Sequence, residues 1–259
     1  MRWSRRSSVS ALLCFTLLST HEPVAAALQH RRLKLSLGYH YSTGTYGTAD
    51  TTEIAYIPLT AKAEIGRWGI QGTIPYLRIS SPAAVVQGPN GPIQTTSGES
   101  DGLGDILARG LYALPPPAFW MPFVDLIGIG KFPTASRGEG LGTGEFDFGL
   151  ESEFWWSGGD LTPFLAVGYR FFGSPPGTNL DDVFLGSVGG VYRILETVNA
   201  GLLLDYRGAP SASSGERLEG VPFASWKVDA HWSVDGYASA GLARGSPDAG
   251  VGLQLGYAW

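Results

Sequence analysis

The chain has 259 residues, 37 of them glycine and 8 tryptophan, and its formal net charge is −5 at pH 7. This acidic balance leaves no basic surface for nucleic acid, so nucleic-acid binding is excluded. Beyond the N-terminal region no apolar run approaches the roughly 18 residues of a membrane-spanning helix, so a helical membrane protein is excluded too.

Residues 1–27 have the pattern of a cleaved signal peptide. Arginines near the start are followed by a short apolar run at 9–18, and three alanines at 25–27 offer a cleavage site. Cleavage removes three arginines, one glutamate and Cys14, which is the only cysteine, so the net charge moves from −5 to −7 and no disulfide is possible. We therefore expect an exported domain at 28–259, with a retained signal anchor as the alternative.

The mature region divides into twelve segments in which apolar and polar residues alternate, the pattern of β-strands with one apolar face. The predicted strands are 33–44, 51–65, 68–80, 102–114, 119–132, 144–156, 161–172, 182–194, 197–208, 222–234, 236–244 and 248–259. Each is long enough to cross a bilayer at a tilt, which takes about 9–11 residues.

The predicted connections alternate between long and short along the chain. Long loops are predicted at 81–101, 133–143, 173–181 and 209–221, with a shorter one at 45–50. Tight turns are predicted between them at 66–67, 115–117, 157–160, 195–196 and 235. Short periplasmic turns and long extracellular loops are typical of bacterial outer-membrane barrels.

The sequence therefore predicts an all-β fold, a transmembrane antiparallel up-and-down β-barrel of about twelve strands in the bacterial outer membrane. A secreted β-sandwich or jelly roll is the alternative. The strands of such folds average about 5–6 residues, which is shorter than most of the segments here.

The last predicted strand carries its large side chains on one face. Val251, Leu253, Leu255, Tyr257 and Trp259 alternate with small or polar residues. We expect this face to meet outer-membrane lipid and the strand to close the sheet onto the first one, which leaves no free edge. The strand ending at Trp259 is also the expected contact for the barrel-assembly machinery.

Sixteen charged residues fall on the polar faces of the predicted strands: Lys34, Lys62, Glu64, Asp105, Arg109, Asp125, Lys131, Asp147, Glu151, Glu153, Arg170, Arg193, Asp205, Arg207, Lys227 and Asp229. Arg or Lys facing lipid costs about 2–4 kcal/mol at the midplane, so we expect these side chains to face the lumen. They indicate either a wet pore whose charges tune selectivity or an ion-paired plug.

The predicted path for a small-molecule solute is lined by Asp105, Arg109, Asp125, Glu151, Glu153, Arg170, Lys227 and Asp229. Loop 81–101 is long enough to fold inward as a constriction. We therefore predict an outer-membrane channel or transporter.

Catalytic chemistry has little support in the sequence. On predicted strand 222–234, His231 shares the inward face with Asp229, Ser225 and Ser233, which suggests a base and its orienting carboxylate. A hydrogen-bonded lumen histidine is the simpler interpretation. No catalytic set, metal site or cofactor is predicted. An outer-membrane lipid hydrolase and a structural or adhesive barrel with a sealed lumen remain as alternatives.

Pro58 and Pro75 lie well inside predicted strands, where proline removes a ladder hydrogen bond. Bulges or locally broken pairing are expected there. The segments Tyr56–Leu59, Ile74–Tyr76 and Ser100–Asp105 resemble the outer-membrane family named for the meta-pathway of phenol degradation. This resemblance implies a barrel that transports aromatic or other hydrophobic compounds, and it makes the two prolines a family feature.

Overall fold

The computed structural model describes residues 6–8, 19–21, 31–116, 118, 120–156, 158–211 and 214–259. Its strands are β1 (Arg6–Ser8), β2 (Ser19–His21), β3 (Arg31–Gly44), β4 (Thr52–Ile65), β5 (Trp68–Ser81), β6 (Val85–Gly88), β7 (Gly91–Gln94), β8 (Gly98–Leu103), β9 (Ile106–Leu114), β10 (Phe123–Phe132), β11 (Asp147–Trp155), β12 (Leu161–Phe171), β13 (Val183–Arg193), β14 (Val198–Arg207), β15 (Arg217–Lys227), β16 (Trp232–Gly241) and β17 (Ala249–Ala258). β1 pairs with β2. Apart from these two strands, the predicted signal peptide lies outside the described residues.

The strands from β3 to β17, except the separate β6–β7 pair, form one closed antiparallel sheet. β8 and β9 follow one another along β5, so together they fill one position in the wall, and the barrel has twelve. The last strand, β17, pairs with β3 from Ala249 opposite Thr43 to Ala258 opposite Lys34. This closure confirms the predicted barrel and excludes a two-sheet sandwich. Within the described ranges, no helix is long and apolar enough to cross a membrane.

The outer face of the barrel is apolar, and the inner face carries most of the polar and charged side chains. In β17, Leu253 is 59% exposed whereas its neighbour Gln254 is only 2% exposed. The same alternation runs along β5, where every second residue from Trp68 to Tyr76 is exposed and the residue after each of them is buried. A continuous apolar band of this kind is stable only against lipid. The chain is thus an integral β-barrel of the bacterial outer membrane.

The two ends of the barrel differ as predicted. The loops of one end are long, and those of the other, between β4 and β5 or between β13 and β14, are short turns. We call these the extracellular and the periplasmic end. Exposed tryptophans collect at the periplasmic end: Trp68, Trp120, Trp226, Trp232 and Trp259. An aromatic belt of this kind is expected at a membrane interface.

The two prolines face each other in the β4–β5 ladder. Near Pro58, the β3–β4 pairing skips two residues on each strand. Opposite Pro75, the wall strand is interrupted between β8 and β9, so that one extra residue fits between the pairs Tyr76–Leu103 and Thr73–Leu107. The Gly104 amide donates a hydrogen bond to the Pro75 carbonyl over 2.9 Å. The expected bulge and broken pairing are therefore present, and the three segments that carry the family resemblance meet at this point of the wall.

The predicted boundaries of two consecutive strands were wrong. Strand 222–234 is instead β15, which ends at Lys227, and the next strand begins at Trp232 rather than at 236. The intervening turn is stabilised by Asp229, whose Oδ1 accepts hydrogen bonds from the amides of His231 (2.7 Å) and Trp232 (2.8 Å). These hydrogen bonds lower the pKa of Asp229. The turn keeps the apolar–polar alternation, so the pattern alone did not reveal it.

The lipid-facing side of β17 gives a direct stability prediction. Leu253→Arg places a guanidinium in the apolar band, so we expect the free energy of unfolding to fall by about 2–4 kcal/mol. Ala249→Arg, on the same face but at the extracellular end of the strand, should cost only about 0–1 kcal/mol. Urea unfolding in lipid vesicles measures both values. Equal losses at the two positions would contradict the assignment of the band.

Candidate functional site

The lumen holds most of the charged residues that the sequence placed there. Of the predicted solute path, six residues are inside the barrel and screened from solvent: Asp105, Arg109, Asp125, Glu151, Glu153 and Arg170. Lys227 lies at the periplasmic end and is half-buried. Asp229 is not in the lumen, because it caps the exposed turn between β15 and β16.

Near the extracellular end, Lys131 is the centre of a buried ion cluster. Its Nζ lies 2.8 Å from Asp105 Oδ2 and 3.0 Å from Asp147 Oδ2. The same atom donates to Thr143 Oγ1 and to the Glu145 carbonyl, each over 3.1 Å. All three charged side chains are almost fully buried. The Lys131 cluster thus ties strands β10 and β11 to the loop between them and to the bulge beside β9.

A second ion network fills one side of the lumen near mid-depth. Glu151 accepts from Arg170 Nη2 over 3.0 Å and from Arg109 Nη2 over 3.4 Å, so it bridges two strands that are not neighbours. Glu153 is 1% exposed and lies 3.9 Å from Arg109 Nη2. Asp125 is its direct cross-strand neighbour. Glu151 is thus paired with two arginines, whereas Glu153 has a second carboxylate, Asp125, beside it.

Loop 81–101 folds into the barrel, as its length suggested. Its strands β6 and β7 pair with each other and not with the wall, and we call residues 85–94 the inserted hairpin. Val86 is 0% exposed and Ile93 is 6% exposed. Both pack into an apolar cluster with Tyr46, Ile54, Tyr56, Leu77, Ile79, Leu107, Ala135 and Leu141. The hairpin therefore has an apolar body that fits the β4–β5–β9 side of the lumen.

The tip of the inserted hairpin reaches the opposite wall. Arg207 Nη1 donates to the carbonyls of Gly88 and Pro89, each over 3.4 Å. Arg217 Nη1 donates to the carbonyls of Gln87 and Gly88 over 3.2 and 3.5 Å. The Gln87 side chain in turn donates to two backbone carbonyls at the β14–β15 loop, over 2.6 and 3.2 Å. The hairpin thus spans the lumen: its body packs against apolar residues of one wall, and its tip is hydrogen-bonded to the other.

Between the inserted hairpin and the periplasmic end the lumen carries an aromatic wall, which we define as Trp155, Phe164, Phe223, Tyr237, His40 and Tyr56. The ring centroids of Trp155 and Phe164 are 4.9 Å apart. Those of His40 and Tyr237 are 5.7 Å apart, and those of His40 and Tyr56 are 5.6 Å apart. Val191, Leu203 and Val221 fill the spaces between the rings near the periplasmic end. The wall runs from the inserted hairpin to that end.

The alternation of apolar and polar residues did not reveal this wall or two of the lumen carboxylates. Trp155 stands in a run of three aromatics, so alternation does not say which ring points inward. Arg217 and Glu219 were assigned to loop 209–221, although β15 already begins at Arg217. Asp235 was taken for a turn, but it is fully buried inside β16 and accepts a hydrogen bond from Ser225 Oγ over 2.6 Å.

A small cavity remains beside the hairpin tip. Its volume is about 50 Å³, and its lining includes His40, Tyr56, Arg207, Arg217 and Tyr237. Such a space holds a few water molecules and no solute of the size of an aromatic ring. Burial also raises the pKa of Tyr46, another lining residue, to about 12, so its phenol stays neutral. The lumen is therefore occluded at this level.

The hydrolase residues suggested by the sequence do not assemble. His231 is exposed in the β15–β16 turn, where its Nδ1 lies 2.8 Å from the Ala258 carbonyl and its ring stacks on Tyr257. Ser225 is instead inside the barrel, bonded to Asp235. Among the described residues, no group of three or more His, Cys, Asp or Glu side chains could hold a metal ion.

Comparison with known proteins shows the fold. No protein-family model matches the chain, and no curated protein matches its sequence. The structure is similar to an outer membrane channel from Pseudomonas putida F1, with 16% identity, a TM-score of 0.68 and coverage of 90% of this chain and 97% of that one. It is also similar to the translocator domain of the autotransporter NalP from Neisseria meningitidis, with 11% identity, a TM-score of 0.50 and 91% coverage of each chain. The phenol-degradation resemblance stays a prediction.

Proposed function

We propose that the barrel is an outer-membrane channel for small aromatic or other hydrophobic solutes, held closed by the inserted hairpin. The observation that carries this proposal is the aromatic wall. Its rings and the apolar side chains packed with them extend from the cavity beside the hairpin towards the periplasmic end.

Apolar rings in the lumen favour a solute that is itself apolar. Each aromatic contact contributes about 0.5–1.5 kcal/mol, which is enough to hold a ring and weak enough to release it. Conduction requires several such weak sites in succession rather than one tight site. The stacked pairs along the aromatic wall meet that requirement.

The charged residues take a different part in this proposal. Because Glu151 already bridges Arg109 and Arg170, these side chains brace β9, β11 and β12 on the extracellular side of Trp155 and Phe164. In this proposal the charged residues of the path predicted from the sequence form a polar section of the passage, and the aromatic rings form an apolar section. The similar fold of the Pseudomonas putida F1 channel and the resemblance to the phenol-degradation family support a transport role.

Uptake of the dye N-phenyl-1-naphthylamine tests the proposal. This neutral aromatic dye is kept out by an intact outer membrane, so cells of a porin-deficient Gram-negative host that produce the barrel should take it up faster. Phe223→Glu should lower that gain about three- to tenfold, because it places a charge in the aromatic wall. Phe223→Leu keeps the surface apolar and should retain most of the gain.

The same cells provide the controls that are needed to interpret a negative result. Heat-modifiable gel mobility shows that each variant is folded, and hydrolysis of a polar β-lactam by a periplasmic enzyme reports hydrophilic leakage. No gain in dye uptake with a folded parent barrel would reject the proposal and favour a structural or adhesive barrel with a sealed lumen. A gain that appears only for the polar β-lactam would make it a hydrophilic pore.

A further inference from the structure

The inserted hairpin has the chemistry of a bound amphiphile. Its body, Val86 and Ile93, is buried against apolar side chains of β4, β5 and β9. To the opposite wall its tip presents uncharged groups: the carbonyls that accept hydrogen bonds from Arg207 and Arg217, and the Gln87 side-chain amide, which donates to two backbone carbonyls. The barrel thus binds the apolar body on one side of the lumen and the hydrogen-bond acceptors of the tip on the facing side.

The arginine side of this site is already neutralised. Arg207 Nε lies 3.3 Å from Asp205 Oδ2, and Arg217 forms an ion pair with Glu219. Two guanidinium groups face two carboxylates, and these side chains have little contact with solvent. Each guanidinium carries five N–H donors, so donors remain for a further acceptor after its carboxylate is bound.

We infer that the inserted hairpin occupies a binding site for a neutral, oxygen-bearing hydrophobic molecule, such as an aromatic alcohol, ketone or ester. The oxygen of this ligand takes the place of the hairpin carbonyls on Arg207 and Arg217, and its apolar part takes the place of Val86 and Ile93. The inference rests on the proposed function, because it names the solute class of that same passage. Ligand and hairpin then compete for one site, so binding favours the open channel.

Charge balance selects the neutral head group. A carboxylate ligand would add a third negative charge to a balanced cluster in a region of low dielectric, where the repulsion from Asp205 and Glu219 is strong. An ammonium ligand offers no acceptor to the guanidinium donors. A hydroxyl or carbonyl oxygen replaces the backbone carbonyls without changing the charge.

The surroundings of the site fit an aromatic body. The cavity beside the hairpin tip is lined by the two arginines and by His40, Tyr56 and Tyr237, which begin the aromatic wall. When the hairpin is removed, this cavity merges with the space that the Val86 and Ile93 side chains occupy. A ring held there by its oxygen would already touch the wall that leads to the periplasmic end.

The test uses a trimmed barrel in which two glycines replace residues 85–94. The Thr95 amide already donates to the Ala84 carbonyl over 2.8 Å, so the two ends are adjacent and a short link joins them. The hairpin pairs only with itself, so the barrel ladder is unchanged. The probes are benzyl alcohol, benzoate and benzylamine, which share a ring and differ in the charge of the head group.

Calorimetric titration of the folded, detergent-solubilised trimmed barrel should show benzyl alcohol binding about tenfold or more tightly than benzoate or benzylamine. The double variant Arg217→Met, Glu219→Met in the trimmed barrel removes donors without unbalancing the charge and should reduce that preference, because only the Arg207–Asp205 pair remains. Arg193→Met, in an exposed pair at the periplasmic end, should leave it unchanged. The untrimmed barrel should bind more weakly, because its site is occupied.

The results separate this inference from the proposed function. Benzoate binding as tightly as benzyl alcohol, or an unchanged preference in the Met variant, overturns the neutral-acceptor site. No binding by a trimmed barrel that still admits the naphthylamine dye also overturns it and leaves the channel standing. Selective benzyl alcohol binding without any dye uptake supports the site and rejects the channel.

Discussion

Replacing residues 85–94 by two glycines is expected to raise the single-channel conductance of the refolded barrel roughly tenfold or more in a planar bilayer. In the closed structure the inserted hairpin spans the lumen and leaves a cavity of only about 50 Å³ at its tip. Ions must pass the hairpin at that level, so its removal widens the path there.

The trimmed barrel should not become a wide pore. The network of Arg109, Glu151 and Arg170 still projects into the lumen below the hairpin. Adding Arg109→Ala and Arg170→Ala to the trimmed barrel should therefore raise the conductance further. It should also shift selectivity towards cations, because Glu151 and Glu153 are then left without their guanidinium partners.

A variant with an intact hairpin tests whether the rise in conductance is specific to removal of the hairpin. Arg137→Met changes an exposed arginine on an extracellular loop, where it donates to the Pro176 carbonyl, and should leave the conductance unchanged. Equal conductance of the parent and the trimmed barrel, with both proteins heat-modifiable on gels, would show that the hairpin is not the gate. The constriction would then lie in the ion network itself.

The wall of the barrel was predictable because lipid and lumen select residue types at every second position. Alternation of this kind fixes which face is apolar, as Leu253 and Gln254 show. It does not mark a turn that continues the alternation, which is why the boundary at Asp229 was wrong. There, two backbone hydrogen bonds to one carboxylate decide the turn, and such bonds leave little trace in hydropathy.

The occlusion of the lumen was only partly predictable. The length of loop 81–101 suggested an inward fold, but its hydrogen bonds with Arg207 and Arg217 join residues more than a hundred positions apart. The partners of Lys131 likewise come from different strands and from a loop. Pairing across a closed barrel depends on strand tilt and register, which single-strand patterns do not contain.

Lys131→Met is expected to lower the free energy of unfolding by about 3–5 kcal/mol. The methionine keeps much of the volume of the lysine but removes the charge that compensates Asp105 and Asp147. Both carboxylates are then buried near each other without a cation, and Thr143 loses its ammonium donor. Urea unfolding in lipid vesicles, followed by tryptophan fluorescence and by gel mobility, measures the loss.

Two further variants show whether burial of the charges is the cause. Arg193→Met breaks an ion pair whose side chains are 37% and 61% exposed, and water screens such a pair, so its cost should stay at about 0–1 kcal/mol. Combining Lys131→Met with Asp105→Asn and Asp147→Asn removes the whole cluster of charges, and this should recover most of the lost stability because no carboxylate is left uncompensated. If the triple variant were as unstable as Lys131→Met alone, the loss would come from packing and hydrogen bonds of the lysine. The buried charge balance would then not be what holds β10 and β11 to the extracellular loop.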